Sequence, residues 1–365
     1  MFRRLALTSI TQPLSRPVPG ESGADYLHEI GAGKAARRAA SRRLAFWLSG
    51  QERFRLDRIP AGARRVLWIY FGEDQIGDAL MDLASRSLLV DAGLQVDLVA
   101  APVVAALFEG DPWFGKVGSD TAGFSGSHYD CAIVLSNKRR PLQQKIRHFP
   151  RLPWVSLHGY FTGPNFHRGA FGAQRLADLL GLTPGAAQLQ AHARQKLGPI
   201  PPAATDPAAD LQDAVGLVMG GVRSDRVYQH WDQVVRQLVD AGHSRFVLVG
   251  SANGAAQAAT LIAGAPAGAR IADYTGRLSL AGTRALLDAT PVVACPDGGL
   301  MHLALTVRAA LVPLFSAQIA PQWRLPADVL PDALQAGAGG VSNIPSQQVS
   351  RAIARLLAQR KRGWP

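Results

Sequence analysis

Two runs of alternating apolar strands and helices, separated by a proline-rich break, constrain this chain more than any other feature. Val66-Leu-Trp-Ile-Tyr-Phe71 reads as a buried strand, residues 76–91 as a helix and residues 95–100 as a second strand. Residues 130–135 and 154–157 read as further strands with a helix between them. Residues 196–210 hold four prolines and little periodic apolar signal, as linkers do. The alternation then restarts with strands at 215–219, 245–250 and 291–295 and helices at 228–240, 254–262, 279–288 and 300–307. Such alternation means βαβ units and parallel sheets. The expected fold is α/β, with two doubly wound Rossmann-like domains facing a central cleft, where ligands bind at strand carboxyl ends.

The expected organisation has five parts. A basic, partly helical extension covers 1–63, a first domain 64–195, the linker 196–210, a second domain 211–345 and a basic helix 346–365. Hydrophobic residues make up 47% of the 365, enough for two cores, and this excludes disorder as the main state. No Gly-x-Gly-x-x-Gly follows the first strand, which disfavours a nicotinamide dehydrogenase.

The net charge of +12 sits at the ends. Residues 1–65 contribute +8 and residues 350–365 contribute +5, leaving the body near neutral. That distribution favours an anionic surface such as phospholipid over a nucleic-acid channel. Residues 1–30 read as loosely ordered. Residues 33–49 read as a basic helix with Lys34, Arg37, Arg38 and Arg42 on one face and Ala36, Ala40 and Trp47 opposite. It either lies in a headgroup layer or packs on its own domain through Trp47. Cys131 and Cys295 lie in apolar strand-like runs, as buried thiols do. No run spans a bilayer and the N-terminus is a poor signal peptide, so a cytoplasmic or peripheral membrane protein is expected.

Three loops carry candidate chemistry. In Cys295-Pro-Asp-Gly-Gly-Leu-Met-His302 a strand ends and a helix restarts. Its glycines let a ligand approach the backbone, and the helix N–H groups suit a diphosphate. Asp297 either caps this helix or accepts hydrogen bonds from sugar hydroxyls. Gly220-Gly-Val-Arg-Ser-Asp-Arg226 follows another strand. There Arg223 and Arg226 suit bidentate phosphate contact and Ser224 adds a hydroxyl. Gly72-Glu-Asp-Gln-Ile-Gly-Asp78 is acidic and repels phosphate. It suits a general base that removes a hydroxyl proton, with Asp78 otherwise an N-terminal cap or first-turn acid of the helix. Lys138, Arg139 and Arg140, after a strand, could hold acidic groups of a substrate.

Taken together, these motifs resemble glycosyltransferase family 9, the lipopolysaccharide heptosyltransferases, over roughly residues 64–345. Ile76-Gly-Asp-Ala-Leu80 resembles the family's N-terminal Gly-Asp motif. Asp273-Tyr-Thr-Gly-Arg-Leu-Ser-Leu280 resembles Asp-x-Thr-Gly-x-x-Ser-Leu, and Pro296-Asp-Gly-Gly-Leu-Met-His-Leu-Ala304 resembles Asn-Asp-Ser/Thr-Gly-Pro-Met-His-Leu-Ala. The resemblance implies a GT-B fold and an inverting, metal-independent transfer of heptose from ADP-heptose to an anionic lipopolysaccharide-core acceptor, with no cofactor. It implies Asp78 as general base and Arg226 as phosphate-binding cation in place of the family's lysine. Asp297 would contact the donor sugar, Thr275 and Gly276 lie near the nucleotide, and Gly299, Leu300, Met301 and His302 face the diphosphate. The implied partners are a nucleotide sugar and an anionic glycolipid, not nucleic acid. Gly298 departs from the usual Ser/Thr, Pro296 from Asn, and residues 250–257 lack the acid that holds ribose. These departures keep two alternatives open: a different nucleotide sugar or acceptor, and a catalytically silent binding relative.

Overall fold

The computed structural model describes residues 2–71, 74–163, 165–201 and 211–361, with the backbone alone at positions 2, 3, 139 and 361. Most of the expected linker, and Gly72 and Glu73 of the acidic loop, lie outside the described residues. The chain divides into two compact units, residues 1–198 and 199–365.

The first unit runs α1 (Phe2–Leu7), α2 (Gly23–Ile30), α3 (Ala32–Leu48), β1 (Arg65–Tyr70), α4 (Ile76–Asp82), α5 (Arg86–Asp91), β2 (Gln95–Ala100), α6 (Pro102–Leu107), β3 (Val117–Gly118), β4 (Cys131–Val134), α7 (Arg139–His148), β5 (Trp154–Ser156), α8 (Arg168–Leu180) and α9 (Ala186–Ala193). Its strands form one parallel sheet in the order β3-β2-β1-β4-β5. Val66 through Tyr70 are wholly buried, because a parallel sheet is covered on both faces. That is why β1 reads as an unbroken apolar run.

The second unit runs β6 (Val215–Met219), α10 (Trp231–Asp240), β7 (Arg245–Gly250), α11 (Ala255–Ala263), β8 (Arg270–Asp273), α12 (Leu280–Ala289), β9 (Val292–Pro296), α13 (Gly299–Ala304), β10 (Ala310–Phe315), β11 (Leu334–Gln335) and α14 (Ser346–Lys361). Its parallel sheet has the order β11-β10-β9-β6-β7-β8. Chain direction across the sheet reverses between β6 and β9, so the loops after these strands diverge and leave a crevice at their carboxyl ends. The last helix belongs to the core: Val349, Ile353, Leu356 and Leu357 pack with Trp231 and Leu238.

Three local expectations change. The helix expected over 76–91 is two helices. Arg86 is fully buried, and its Nη1 donates to the Leu83 carbonyl at 2.9 Å, drawing that oxygen out of the helical ladder. Its other nitrogens donate to Asp111 at 2.9 and 2.6 Å.

Residues 1–30 are also not loose. Leu5 and Ala6 pack on Ala35, Ala36 and Ala39. The Thr162 N–H donates to the Ser9 carbonyl at 3.0 Å and the Glu21 N–H to the Asn165 carbonyl at 2.8 Å. Ser15 donates to Asp178. The N-terminal arm therefore braces the loop between β5 and α8.

In α3, the anchoring ring is Phe46 rather than Trp47. Phe46 meets Trp154 edge-on at 5.3 Å, while Trp47 is 70% exposed. No helix among the described residues is long and apolar enough to cross a membrane.

Candidate functional site

The first unit brings Asp78 into a buried charge cluster. Asp78 and Asp82 lie four residues apart on α4, hence on one helix face. Arg168, at the start of α8, meets both. Its Nη1 donates to Asp78 Oδ1 at 2.8 Å, its Nε to Asp82 Oδ1 at 2.8 Å and its Nη2 to Asp82 Oδ2 at 2.5 Å. The Tyr70 hydroxyl donates to Asp82 Oδ2 at 3.0 Å, and His158 Nε2 lies 3.6 Å from Asp82 Oδ1. Burial would raise the Asp82 carboxyl, but the Arg168 guanidinium outweighs it and holds the group below the usual carboxylate range. Burial pushes His158 down to about 4, so it is neutral at pH 7; the nearby Asp82 opposes this, while the charges of Arg168 and Lys138 add to it.

The cluster thus sets two carboxylates against one guanidinium. Asp82 is fully enclosed and held by two nitrogens, whereas the Asp78 side chain is 28% exposed. Asp78 is therefore the more accessible of the two acids. Asp78 also does not cap its helix, whose N-cap is Gln75.

Of the three other cations expected in this unit, Lys138 is the N-cap of α7 and acts on His158 through its charge. Arg140 is exposed, and the Arg139 side chain lies outside the described residues. Asp82, Arg168, His158 and Tyr70 were not singled out from sequence. The available signal was Asp82 itself, a second acid at i+4 on an apolar helix face, which calls for a buried cation.

The second unit builds its cluster at the point where the sheet reverses. Arg226 follows β6 and Asp297 follows β9. Arg226 Nη1 lies 3.2 Å from Asp297 Oδ2, and His302 Nε2 approaches Asp297 Oδ1 at 4.0 Å. Asp297 and His302 are both buried. The N-cap position of α13 is Gly298, one residue after Asp297. At six residues α13 has a small dipole, so any anion there would depend on Arg226 and the first N–H groups more than on the helix field.

Arg223 lies at the edge of this cluster, where the Asp297 charge still acts on it. Its guanidinium is taken up by Asp225 two residues on, at 2.9 and 3.0 Å, and is mostly exposed. Ser224 is exposed as well.

Buried polar atoms are nearly always paired, so exceptions mark places where a ligand atom can enter. At the carboxyl edge of this sheet Arg226 Nε, Thr275 Oγ1 after β8 and Ser316 Oγ after β10 are buried with no hydrogen-bond partner among the described residues. Gly276 has φ +70°, and a Cβ there would stand 3.0 Å from Ala252 Cα, so turn geometry requires glycine. Gly298 is different. Its backbone is extended (φ 168°), and a Cβ would meet nothing closer than the Pro296 carbonyl at 3.9 Å. A serine or threonine has room there, so the missing hydroxyl is a chemical difference rather than a folding requirement. Leu300 is half-buried and Met301 is buried in the core. After β7, Asn253 Nδ2 donates to the Gly221 carbonyl, and Gln257 Oε1 on α11 accepts the Gly220 N–H.

Neither cysteine is reactive by environment. Burial pushes Cys131 up to about 12 and Cys295 well above its ordinary value.

Residues 191–341 match the model of glycosyltransferase family 9 (heptosyltransferase). No curated protein matches the chain by sequence at a significant level. Among solved structures the chain is similar to the ADP-heptose lipopolysaccharide heptosyltransferase II of E. coli, at 18% identity and TM-score 0.62, covering 81% of this chain and 99% of that one. It is similar to a family 9 glycosyl transferase from Veillonella parvula at 15% identity and TM-score 0.64, over 81% and 98%. It is also similar to the E. coli heptosyltransferase WaaC bound to ADP, at 17% identity and TM-score 0.57, over 80% and 99%. At these identities the likeness establishes the fold, which is that of the GT-B heptosyltransferases.

Proposed function

We propose that this chain, whose residues 191–341 match the model of glycosyltransferase family 9 (heptosyltransferase), is a glycosyltransferase that moves heptose from ADP-heptose to a hydroxyl of an anionic lipopolysaccharide-core-type glycolipid, with inversion and without a metal. The observation that carries this reading is the Arg226–Asp297 pair at the reversal of the second sheet. A guanidinium beside a carboxylate at that point suits a sugar diphosphate: the cation meets phosphate and the acid meets sugar hydroxyls. The neighbours bound to ADP or to a fluorinated ADP-heptose make an ADP-linked donor the first choice.

In the proposed reaction Asp78 takes the acceptor proton as the acceptor oxygen forms its bond to the anomeric carbon. The bond from that carbon to the diphosphate oxygen breaks on the opposite face. Arg226 and the N–H groups of Gly299, Leu300 and Met301 stabilise the charge on departing ADP, a role that needs donors fixed in advance. Arg168 holds one oxygen of Asp78, which directs the other. Lys138 and Arg140 would meet acidic groups of the acceptor. A lipid-anchored acceptor and a nucleotide sugar meet at the cytoplasmic face of a membrane, and that is where the reading puts the chain.

Gly298 and the absence of a carboxylate in the 250–257 loop favour one second reading, transfer from a different nucleotide sugar. Melting temperatures with ADP, UDP, GDP and CMP and their sugars separate the two. A ligand at about 100 times its Kd stabilises by about 2.7 kcal/mol, a shift of several degrees. The expected result is a shift with ADP and ADP-heptose alone. A larger shift with another nucleotide would replace the donor, and no shift with any would favour a silent relative.

A further inference from the structure

The outer face of α3 carries cations and exposed apolar side chains together, and no acid lies anywhere in the helix. At 100° per residue, Lys34, Arg37, Arg38, Ser41, Leu44, Ala45 and Leu48 fall within an arc of about 120°, and Trp47 lies about 60° beyond its edge. All of them are exposed. Leu44 is 57% and Leu48 69% exposed, beside Trp47. The opposite face is occupied: Ala35, Ala36, Ala39 and Phe46 are buried, and Arg43 lies over the Tyr160 ring at 5.2 Å. So α3 is anchored by one side, and its other side has cations in the first two turns and a Leu-Trp-Leu tip in the last. Among the described residues the other exposed large hydrophobics, Leu7, Val90, Val103, Leu182, Val222 and Ile262, form no comparable run in sequence.

We propose that this face docks on a membrane leaflet rich in anionic phospholipid, with Lys34, Arg37 and Arg38 on the headgroups and Leu44, Trp47 and Leu48 inserted below them. Charge complementarity selects this occupant. An unbroken cationic stripe suits a diffuse negative surface, and a tryptophan flanked by leucines suits the boundary between headgroups and acyl chains. The inference rests on the exposure and charge of α3, not on the assigned transfer.

The test is sedimentation of the full chain with vesicles of phosphatidylglycerol and phosphatidylcholine in equal parts, and with phosphatidylcholine alone. These contain no glycolipid, so the acceptor site does not contribute, and failure here leaves the transfer reading intact. The expected result is binding to the mixed vesicles that weakens as salt rises, and binding on the order of tenfold weaker to the neutral ones. The triple variant Leu44→Ser, Trp47→Ser, Leu48→Ser should bind the mixed vesicles on the order of tenfold less tightly or worse, with an unchanged melting temperature because these side chains are exposed. Wild-type chain that stays in the supernatant would overturn the proposal, as would a triple variant that binds like wild type. A wild-type dimer that the triple variant converts to monomer, without vesicle binding, would assign the face to a second copy and overturn it too.

Discussion

Replacing Asp78 with alanine is expected to lower the rate of transfer by about 10²–10⁴-fold, the range a positioned general base contributes. Donor affinity should not change, because Asp78 lies in the first unit and Arg226, Thr275 and Asp297 in the second. Asp78→Asn tests the same role with the shape kept. The amide can still meet Arg168 but cannot accept the acceptor proton, so it should be nearly as inactive as alanine. The fold should survive both changes. Asp78 is partly exposed, and Arg168 keeps two bonds to Asp82. The check is a pair of readings on each variant: turnover with saturating donor and acceptor, and the melting shift produced by donor. An asparagine variant that turns over at the wild-type rate would remove Asp78 from the chemistry.

Replacing Arg226 with alanine is expected to act on the other substrate. It removes the cation assigned to the diphosphate and takes a partner from a buried carboxylate. Truncating one member of a buried charge pair typically costs about 2–5 kcal/mol, which corresponds to a donor Kd weaker by roughly 30- to 5,000-fold. A separate cost falls on the free protein, since Asp297 loses its contact at 3.2 Å. Arg226→Lys separates the two effects. It keeps the charge and gives up the forked geometry, so stability should return more fully than donor affinity. Titration of donor by calorimetry, with the melting temperature of each free variant, reads both. Wild-type donor affinity in Arg226→Ala would move the diphosphate elsewhere in the unit.

What could be read from the residues divides along physical lines. β1, β6, β7 and β9 were legible because parallel strands buried on both faces are uninterrupted apolar runs. The break between α4 and α5 was not, because it depends on Arg86 finding Asp111 across 25 residues. The order of residues 1–30 was hidden for the same reason: its hydrogen bonds reach Thr162, Asn165 and Asp178, and no periodicity announces them.

The site shows the same division. Arg226, Asp297 and His302 could be singled out because each follows a strand at its carboxyl end, and the fold brings them together. Arg223 satisfied the same rule and pairs with Asp225, a competitor two residues along that local pattern does not weigh. The partners of Asp78 were missed because Arg168 is 90 residues distant. Which ring anchors α3 was not legible, because the neighbours Phe46 and Trp47 both fit that role and only packing against Trp154 decides between them.

Heptosyl transfer from an ADP-linked donor is read by incubating the wild-type chain with ADP-heptose and a heptose-free lipopolysaccharide core in the presence of a chelator. ADP is followed as it is released, and the acceptor is weighed by mass spectrometry. The expected result is one heptosyl unit gained per ADP released, with the anomeric configuration inverted and the rate unaffected by the chelator. An acceptor left unchanged by ADP-heptose, but extended when another nucleotide sugar is supplied, would overturn the assignment.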